Sequence, residues 1–473
     1  MLTAKIRRIA SRKRLLTATL LGTAATLTGC DLFLGIQQHS VAADASAAVD
    51  SSRLPDATPS DVRAVDAKSS MDATKHDAGS IDAGKDHATA PVDASPDTSV
   101  VDAQRDVAIV DAAPVCAPDA DFTNDPANCG RCGHGCLEAG CAASACQPKV
   151  VSIATGIPNF LTIADSNIYW TQISSGGTSP NAVMIAPAAG GNAVVVHLLA
   201  GPGWGVGTDT ERLYWGITGN NNYNTLFGVY QCPLAGCTDA GPQLIGPADY
   251  YQGSSFKWDS LDGFTVTSDV LYVATQQGFL NECPLPPVDG GGCKAAVSGL
   301  NSPASPRADD AGVVWANQGN PLSQNQFNTG SIETCSPSGS CPTPTPMDPS
   351  IQPQFLAISP TYVVWTEVTA NTSGHYLGNV MSCLRNACEE NLVTLATNQV
   401  FPQGIAMDKT RAYWADQSAG TVLSCPIGGC PDGGPTVLST SDAGMPFQVA
   451  LDDSAVYWTN QVPGGAIMRV AKP

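Results

Sequence analysis

The sequence predicts an all-β protein whose main body is a seven-bladed β-propeller closed by an N-terminal strand. Three observations carry that expectation. An aromatic anchor dipeptide returns seven times at a near-constant interval, and 46 Gly and 35 Pro punctuate short apolar runs. The last copy of the pattern also lacks a strand that an orphan segment ahead of the first copy can supply.

The anchor reads Tyr169-Trp170, Tyr214-Trp215, Tyr272-Val273, Val314-Trp315, Val364-Trp365, Tyr413-Trp414 and Tyr457-Trp458. Successive second residues lie 45, 58, 42, 50, 49 and 44 apart, the interval of a four-stranded blade. One copy shows the strands: Gly404 to Asp408, Ala412 to Asp416, Gly420 to Pro426 and Thr436 to Leu438. Each apolar run is short and bounded by Gly, Asp or Pro, as strands are. Neighbouring residues on a strand point to opposite faces, so adjacent Tyr and Trp imply a strand buried on both sides. A propeller provides this by sandwiching inner strands between neighbouring blades.

The seventh copy, Met445 to Pro473, supplies three strands, and Val150 to Ala154 supplies the fourth, with Val151 expected opposite Met468. This closure removes exposed edges; the rival, an open solenoid, needs caps at both ends.

Seventeen cysteines point to an oxidising compartment. Ten form five local pairs between third and fourth strands: Cys232/Cys237, Cys283/Cys293, Cys335/Cys341, Cys383/Cys388 and Cys425/Cys430. Opposed positions across a hairpin bring Cβ atoms to about 4 Å, as a disulfide requires. Copy one has no cysteine there, and copy seven draws its two outer strands from opposite chain ends. Six more, Cys116, Cys129, Cys132, Cys136, Cys141 and Cys146, fall within residues 114–148 and read as three disulfides of undetermined connectivity, with zinc as the lesser alternative. A stiff spacer is the role expected of this module.

The chain begins with a basic segment (Lys5, Arg7, Arg8, Arg12, Lys13, Arg14), then an apolar stretch from Leu15 to Leu27, then Leu27-Thr28-Gly29-Cys30. This describes a secretory signal over residues 1–29, too short for a comfortable membrane span. The tetrapeptide resembles the bacterial lipobox, which implies lipidation of Cys30 and a lipid-anchored place in a bacterial cell envelope. Removing Cys30 leaves an even number of cysteines to pair. Residues 30–113 repeat Asp-Ala, carry 15 acids against six bases and nearly lack aromatics. Such a segment buries too little to repay its ordering entropy, so a disordered, charge-extended tether is expected. The folded part follows as the Cys-rich module and then residues 149–473.

Two further resemblances attach to these residues. Asn128-Cys129-Gly130-Arg131-Cys132-Gly133 with Cys136 resembles the cysteine-rich module of stigma-specific secreted proteins. Tyr169-Trp170-Thr171, Tyr457-Trp458-Thr459 and Tyr413-Trp414-Ala415-Asp416 resemble the Tyr-Trp-Thr-Asp repeats of low-density lipoprotein receptor propellers. That family is usually six-bladed, and the resemblance implies binding rather than catalysis.

A net charge of −19 makes nucleic acid an unexpected partner. The expected partners are a membrane, through the lipid, and an extracytoplasmic protein or glycan. Chain direction places the disulfide hairpins on one face with the first-to-second-strand turns, such as Asp165-Ser166-Asn167 and Asp452-Asp453-Ser454. Those acids read as turn formers rather than a calcium set. The other face collects longer, irregular segments, and its candidate ligand contacts are Tyr223, Tyr250, Tyr251, Trp258, Asn325, Phe327, His375 and Tyr376. The aromatic link 247–263 has a second reading, as a plug over copy three, whose Trp is replaced by Val273. No catalytic residue, metal site or cofactor is expected. His197 reads as structural, and Glu367 and Asp416 are the nearest analogues of the central carboxylates in gluconolactonase-like propellers. A calcium-dependent hydrolase or lactonase and a purely structural envelope component are the competing readings.

Overall fold

The computed structural model describes residues 116–473 apart from the segments 177–178, 219–227, 238–240, 247–260, 287–292, 320–329, 337–340, 342–343, 350–351, 373–374 and 441–443. Cys30, the tether and six of the candidate contacts (Tyr223, Tyr250, Tyr251, Trp258, Asn325 and Phe327) lie outside the described residues.

The propeller is present with seven four-stranded antiparallel blades. Blades 1 to 6 occupy residues 157–198, 203–246, 261–298, 303–348, 353–400 and 402–440. Blade 7 joins residues 446–471 to the strand Lys149–Ile153. The closing register sets Val150 opposite Met468 and Ser152 opposite Ile467. Val151, the residue expected opposite Met468, instead occupies the bulge between them.

The second strand of each blade is buried along most of its length, as in Asn167–Ile173 and Ala455–Asn460. All six anchor tryptophans are almost completely enclosed. In blade 3 the missing ring is compensated from the inner strand. Phe264 pairs with Val273, where other blades set Leu161, Val206, Leu356, Ile405 or Val449 against Trp. Room for Phe264 comes from blade 2: a Cβ on Gly205 would lie 2.8 Å from its ring and one on Gly207 3.4 Å away.

The five local cysteine pairs are bonded with the expected partners: Cys232–Cys237, Cys283–Cys293, Cys335–Cys341, Cys383–Cys388 and Cys425–Cys430. Their placement differs from the cross-hairpin positions expected. The first cysteine of each pair lies on the third strand of its blade, but Cys237, Cys293, Cys341, Cys388 and Cys430 all lie in the connection before the fourth strand. None of the five has a partner in the strand register. The reason is chain length. In blade 2 the fourth strand begins only at Gln243 and in blade 6 only at Thr436, so a cysteine five residues after the first is still in the turn. Each bond therefore folds the connection back onto the end of the third strand, rather than joining two paired strands.

The module is bonded Cys116–Cys132, Cys129–Cys141 and Cys136–Cys146, so its thiols are spent on sulfur rather than on a metal. It is also no spacer. Its core cysteines pack in one cluster with Tyr413, Val456 and Val470 of blades 6 and 7. Arg469 donates to the carbonyls of Ala188 in blade 1 and Leu137 in the module, both at 3.0 Å. His134 Nε2 lies 2.7 Å from the carbonyl of Lys472. The module therefore covers the seam where blades 7 and 1 meet, beside the two blades that have no hairpin disulfide.

Around the candidate contacts His375 and Tyr376, where the sequence suggests an irregular segment, the described residues continue the blade 5 hairpin instead. Strands Tyr362–Thr372 and His375–Leu384 pair as far as Thr372 opposite His375.

Candidate site in the central channel

The seven inner strands share a feature that positions the site. Each carries a β-bulge near its start, for example between Pro158 and Leu161, Pro353 and Leu356, and Pro446 and Val449. A proline that cannot donate to the ladder opens four of these strands and lies just inside a fifth, which suits an interruption in pairing. The extra residue re-aims side chains at the loop end of the channel. The signal was readable as a Pro-x-x-apolar run in four copies: Pro158-Asn159-Phe160-Leu161, Pro353-Gln354-Phe355-Leu356, Pro402-Gln403-Gly404-Ile405 and Pro446-Phe447-Gln448-Val449. It lies apart from the anchor dipeptide, and the sequence reading missed it.

Two kinds of side chain gather at the bulges. Aromatic rings form one group. Phe160 of blade 1 lies 5.3 Å from Trp204 of blade 2, 5.4 Å from Phe447 of blade 7 and 6.4 Å from Phe355 of blade 5, centroid to centroid. Blades 1 and 5 are not neighbours, so this group spans the axis. Carboxamides form the other. Gln417 Nε2 donates to Gln461 Oε1 at 2.7 Å, Gln461 Nε2 to Asn159 Oδ1 at 2.8 Å, and Asn159 Nδ2 to the Gly203 carbonyl at 3.2 Å. This chain runs from blade 6 to blade 2 as part of a collar. Gln318 Nε2, Gln403 Oε1 and Gln448 Oε1 are buried there without a partner among the described residues.

The channel holds a cavity of about 490 Å³, a volume in the range of small-molecule sites. Its wall includes Phe160, Trp204, Asp262, Phe264, Arg307 and Phe355. Asp262 is the one carboxylate in the wall among the described residues. Burial pushes its carboxyl up to about 8, opposed by the hydrogen bond from Gln276 Nε2 at 3.2 Å. Burial pushes the Arg307 guanidinium down to about 10, still charged at neutral pH.

The nominated residues that are described, His375, Tyr376, His197, Glu367 and Asp416, fall elsewhere than the cavity wall. Glu367 accepts from Asn379 Nδ2 at 3.0 Å and does not line the cavity. Asp416 accepts the Val400 N–H at 3.2 Å, is pushed up to about 7 by burial and is also off the wall. The backbone of His375 is at the tip of the blade 5 hairpin, and the Tyr376 ring lies 5.0 Å from Phe401. His197 is in the outer strand of blade 1, its ring 5.7 Å from Trp215 of blade 2, a packing role.

Of the turn acids named from the sequence, Asp452 holds its turn through its carboxylate, whereas at Asp165 the backbone carbonyl accepts from Asn167 Nδ2 at 3.1 Å. Asp452 Oδ1 accepts the N–H groups of Ser454 and Ala455, and Asp408 Oδ1 those of Thr410 and Arg411.

No protein-family model matches the sequence, and no curated protein does. Solved structures are similar to part of this chain at low identity. The computationally designed Ika8 protein is 12% identical, with 68% of this chain and 100% of that chain covered at a TM-score of 0.43. The WD40 β-propeller domain of Doa1 is also 12% identical, over 69% of this chain and 96% of that chain, at 0.44. A nidogen/laminin complex is 14% identical over 59% and 76%, at 0.29.

Proposed function

We propose that this is an exported bacterial envelope protein, lipid-anchored through Cys30, whose propeller binds a protein or glycan at its longer-loop end. The observation supporting this reading is the carboxamide collar at that end of the channel. Buried polar atoms normally find partners, and Gln318 Nε2, Gln403 Oε1 and Gln448 Oε1 have none among the described residues. Donors and acceptors of that kind, beside aromatic rings, suit the hydroxyl and amide groups of sugars and peptides. Eight disulfides, three in the module and five in the blades, support an oxidising location.

Two measurements test the proposal. Radiolabelled palmitate should be incorporated by the wild-type chain in a bacterial host and not by Cys30→Ser. A glycan array and an envelope-protein pull-down with the purified chain should give a ligand that is lost on joint replacement of Tyr250, Tyr251 and Trp258 by Ala, with the melting temperature unchanged. Full binding by that triple variant would overturn the assignment of the loop face.

A further inference from the structure

We propose that the central channel contains a small-ligand site for a carboxylate carried on an apolar body, with Arg307 receiving the carboxylate. It shares Gln318, Gln448 and the aromatic rings with the collar that supports the loop-face reading, but its test uses different variants and probes, so either can fail without the other.

The register isolates Arg307. It pairs with Val314, the position that pairs Thr162, Gly207, Thr265, Ala357, Ala406 and Ala450 with the first anchor residue in the other blades. Six small residues and one arginine thus share one level of the ring. All seven are half-buried, whereas the preceding residue on the same strand is buried in six of the seven blades. One guanidinium therefore reaches into space that its counterparts leave open.

The two buried arginines among the described residues show what a structural role looks like here. Arg385 pairs with Asp309 and donates to the Gly312 carbonyl. Arg469 donates to two carbonyls and lies 3.9 Å from Glu138. The Arg307 side chain has one hydrogen bond among the described residues, from Nη1 to the carbonyl of its own neighbour Pro306 at 2.8 Å. No carboxylate among the described residues lies within ion-pair distance of it. A half-buried guanidinium in a cavity wall, with unspent donors, is matched by a carboxylate, which accepts two parallel hydrogen bonds.

Local charge favours the same ligand. Burial holds Asp262 mostly protonated at neutral pH, so it does not oppose a bound anion. The wall is then locally cationic inside a protein of net charge −19. The apolar body is specified by Phe160, Trp204, Phe264 and Phe355, which offer ring surface within the same 490 Å³. Such a carboxylate can be a small free acid or the C-terminus of a peptide with an apolar last residue.

The test is calorimetric titration of the full chain, paired with tryptophan fluorescence because Trp204 lines the cavity. The probes are 3-phenylpropionate, its neutral amide, the peptide acetyl-Gly-Gly-Phe and that peptide's C-terminal amide. At least one free carboxylate should bind and its amide should not. Arg307→Met should weaken binding about tenfold or more, and Arg307→Lys should restore part of it. Ala357→Leu, which keeps the charge but fills the space, should also block binding and covers the case in which Arg307→Met fails to fold. Tighter binding of the phenylpropionate assigns a free acid, and tighter binding of the peptide assigns a C-terminus. Equal binding of acid and amide, undiminished binding by a folded Arg307→Met, or no carboxylate binding at millimolar concentration would overturn the site.

Discussion

The hydroxyl of Tyr457 donates to Asp452 Oδ2 at 2.7 Å, tying the first residue of the anchor dipeptide to the turn five residues before it. The same tie joins Tyr413 to Asp408 at 2.8 Å and Tyr214 to Asp209 at 2.6 Å. Each Asp holds its turn with one oxygen and its tyrosine with the other. Burial works to raise Asp408, but the hydrogen bonds from Thr410, Tyr413 and Arg411 outweigh it and hold the carboxyl at about 2. Burial and Asp452 together push the Tyr457 phenol up to about 12. In blade 4 the tyrosine is Val314, and Asp309 turns to Arg385 of blade 5 instead.

Removing a tie should loosen one blade. Tyr457→Phe leaves Asp452 short of a charge-assisted bond and should cost about 1.5–3 kcal/mol in a chemical-denaturation series. Asp309→Ala leaves the Arg385 guanidinium buried without its carboxylate and should cost more, about 3–5 kcal/mol. Equal costs for the two would show that Asp309 does not compensate Arg385.

Blade 3 should show coupling between its substitute ring and the glycines beneath it. Gly205 sits at φ +82° with the Phe264 ring where a Cβ would go. Gly205→Ala should therefore destabilise by about 1–3 kcal/mol. Val273→Trp alone should overpack against Phe264, and adding Phe264→Val should recover stability. A double-mutant cycle checks this, and simple additivity would refute the compensation.

The seam should weaken when the module is released. Arg469→Met removes the bonds to Ala188 and Leu137. Limited proteolysis under oxidising conditions should then cleave between the module and Lys149 faster than in the wild type, while the five blade disulfides stay intact by mass spectrometry. An unchanged cleavage rate would mean that packing by Cys129, Cys136 and Cys146 suffices alone.

The buried acids set the pH dependence around neutrality. Asp262 at about 8 and Asp416 at about 7 bind a proton more tightly folded than unfolded, where an aspartate titrates at 3.8. Their contribution is complete below about pH 4 and is lost as pH rises toward 7 and 8, so melting temperature should fall across that range. Asp262→Asn should flatten the upper part of the slope. A slope unchanged in that variant would place the titration elsewhere. The opposite sign holds for Asp408, whose contribution is present above about pH 4 and lost as pH falls toward 2.

What the sequence determined by itself is local or periodic. The anchor repeats set the blade number, and the short Cys-to-Cys spacings chose the partners of the five blade disulfides. Where the second cysteine of each pair sits was decided by the fold, since only the strand ends show that Cys237, Cys293, Cys341, Cys388 and Cys430 precede the fourth strand. The unmatched strand at Val150 forced closure onto Met468 to within one residue, because a two-residue strand period leaves little freedom once one face is buried. Turn acids such as Asp452 were recognisable because an Asx turn spans only a few residues. The tertiary structure decided what meets on the axis and at the seam. Phe160 reaches Phe355, Arg307 stands among small residues of six other blades, and Phe264 takes space opened by Gly205. The six module cysteines allowed many pairings, of which the folded module holds one, with its core cysteines packed against blades 6 and 7. Such contacts join residues from different blades, or from the module and the ring. No sequence interval encodes them, since their proximity exists only after the ring has closed.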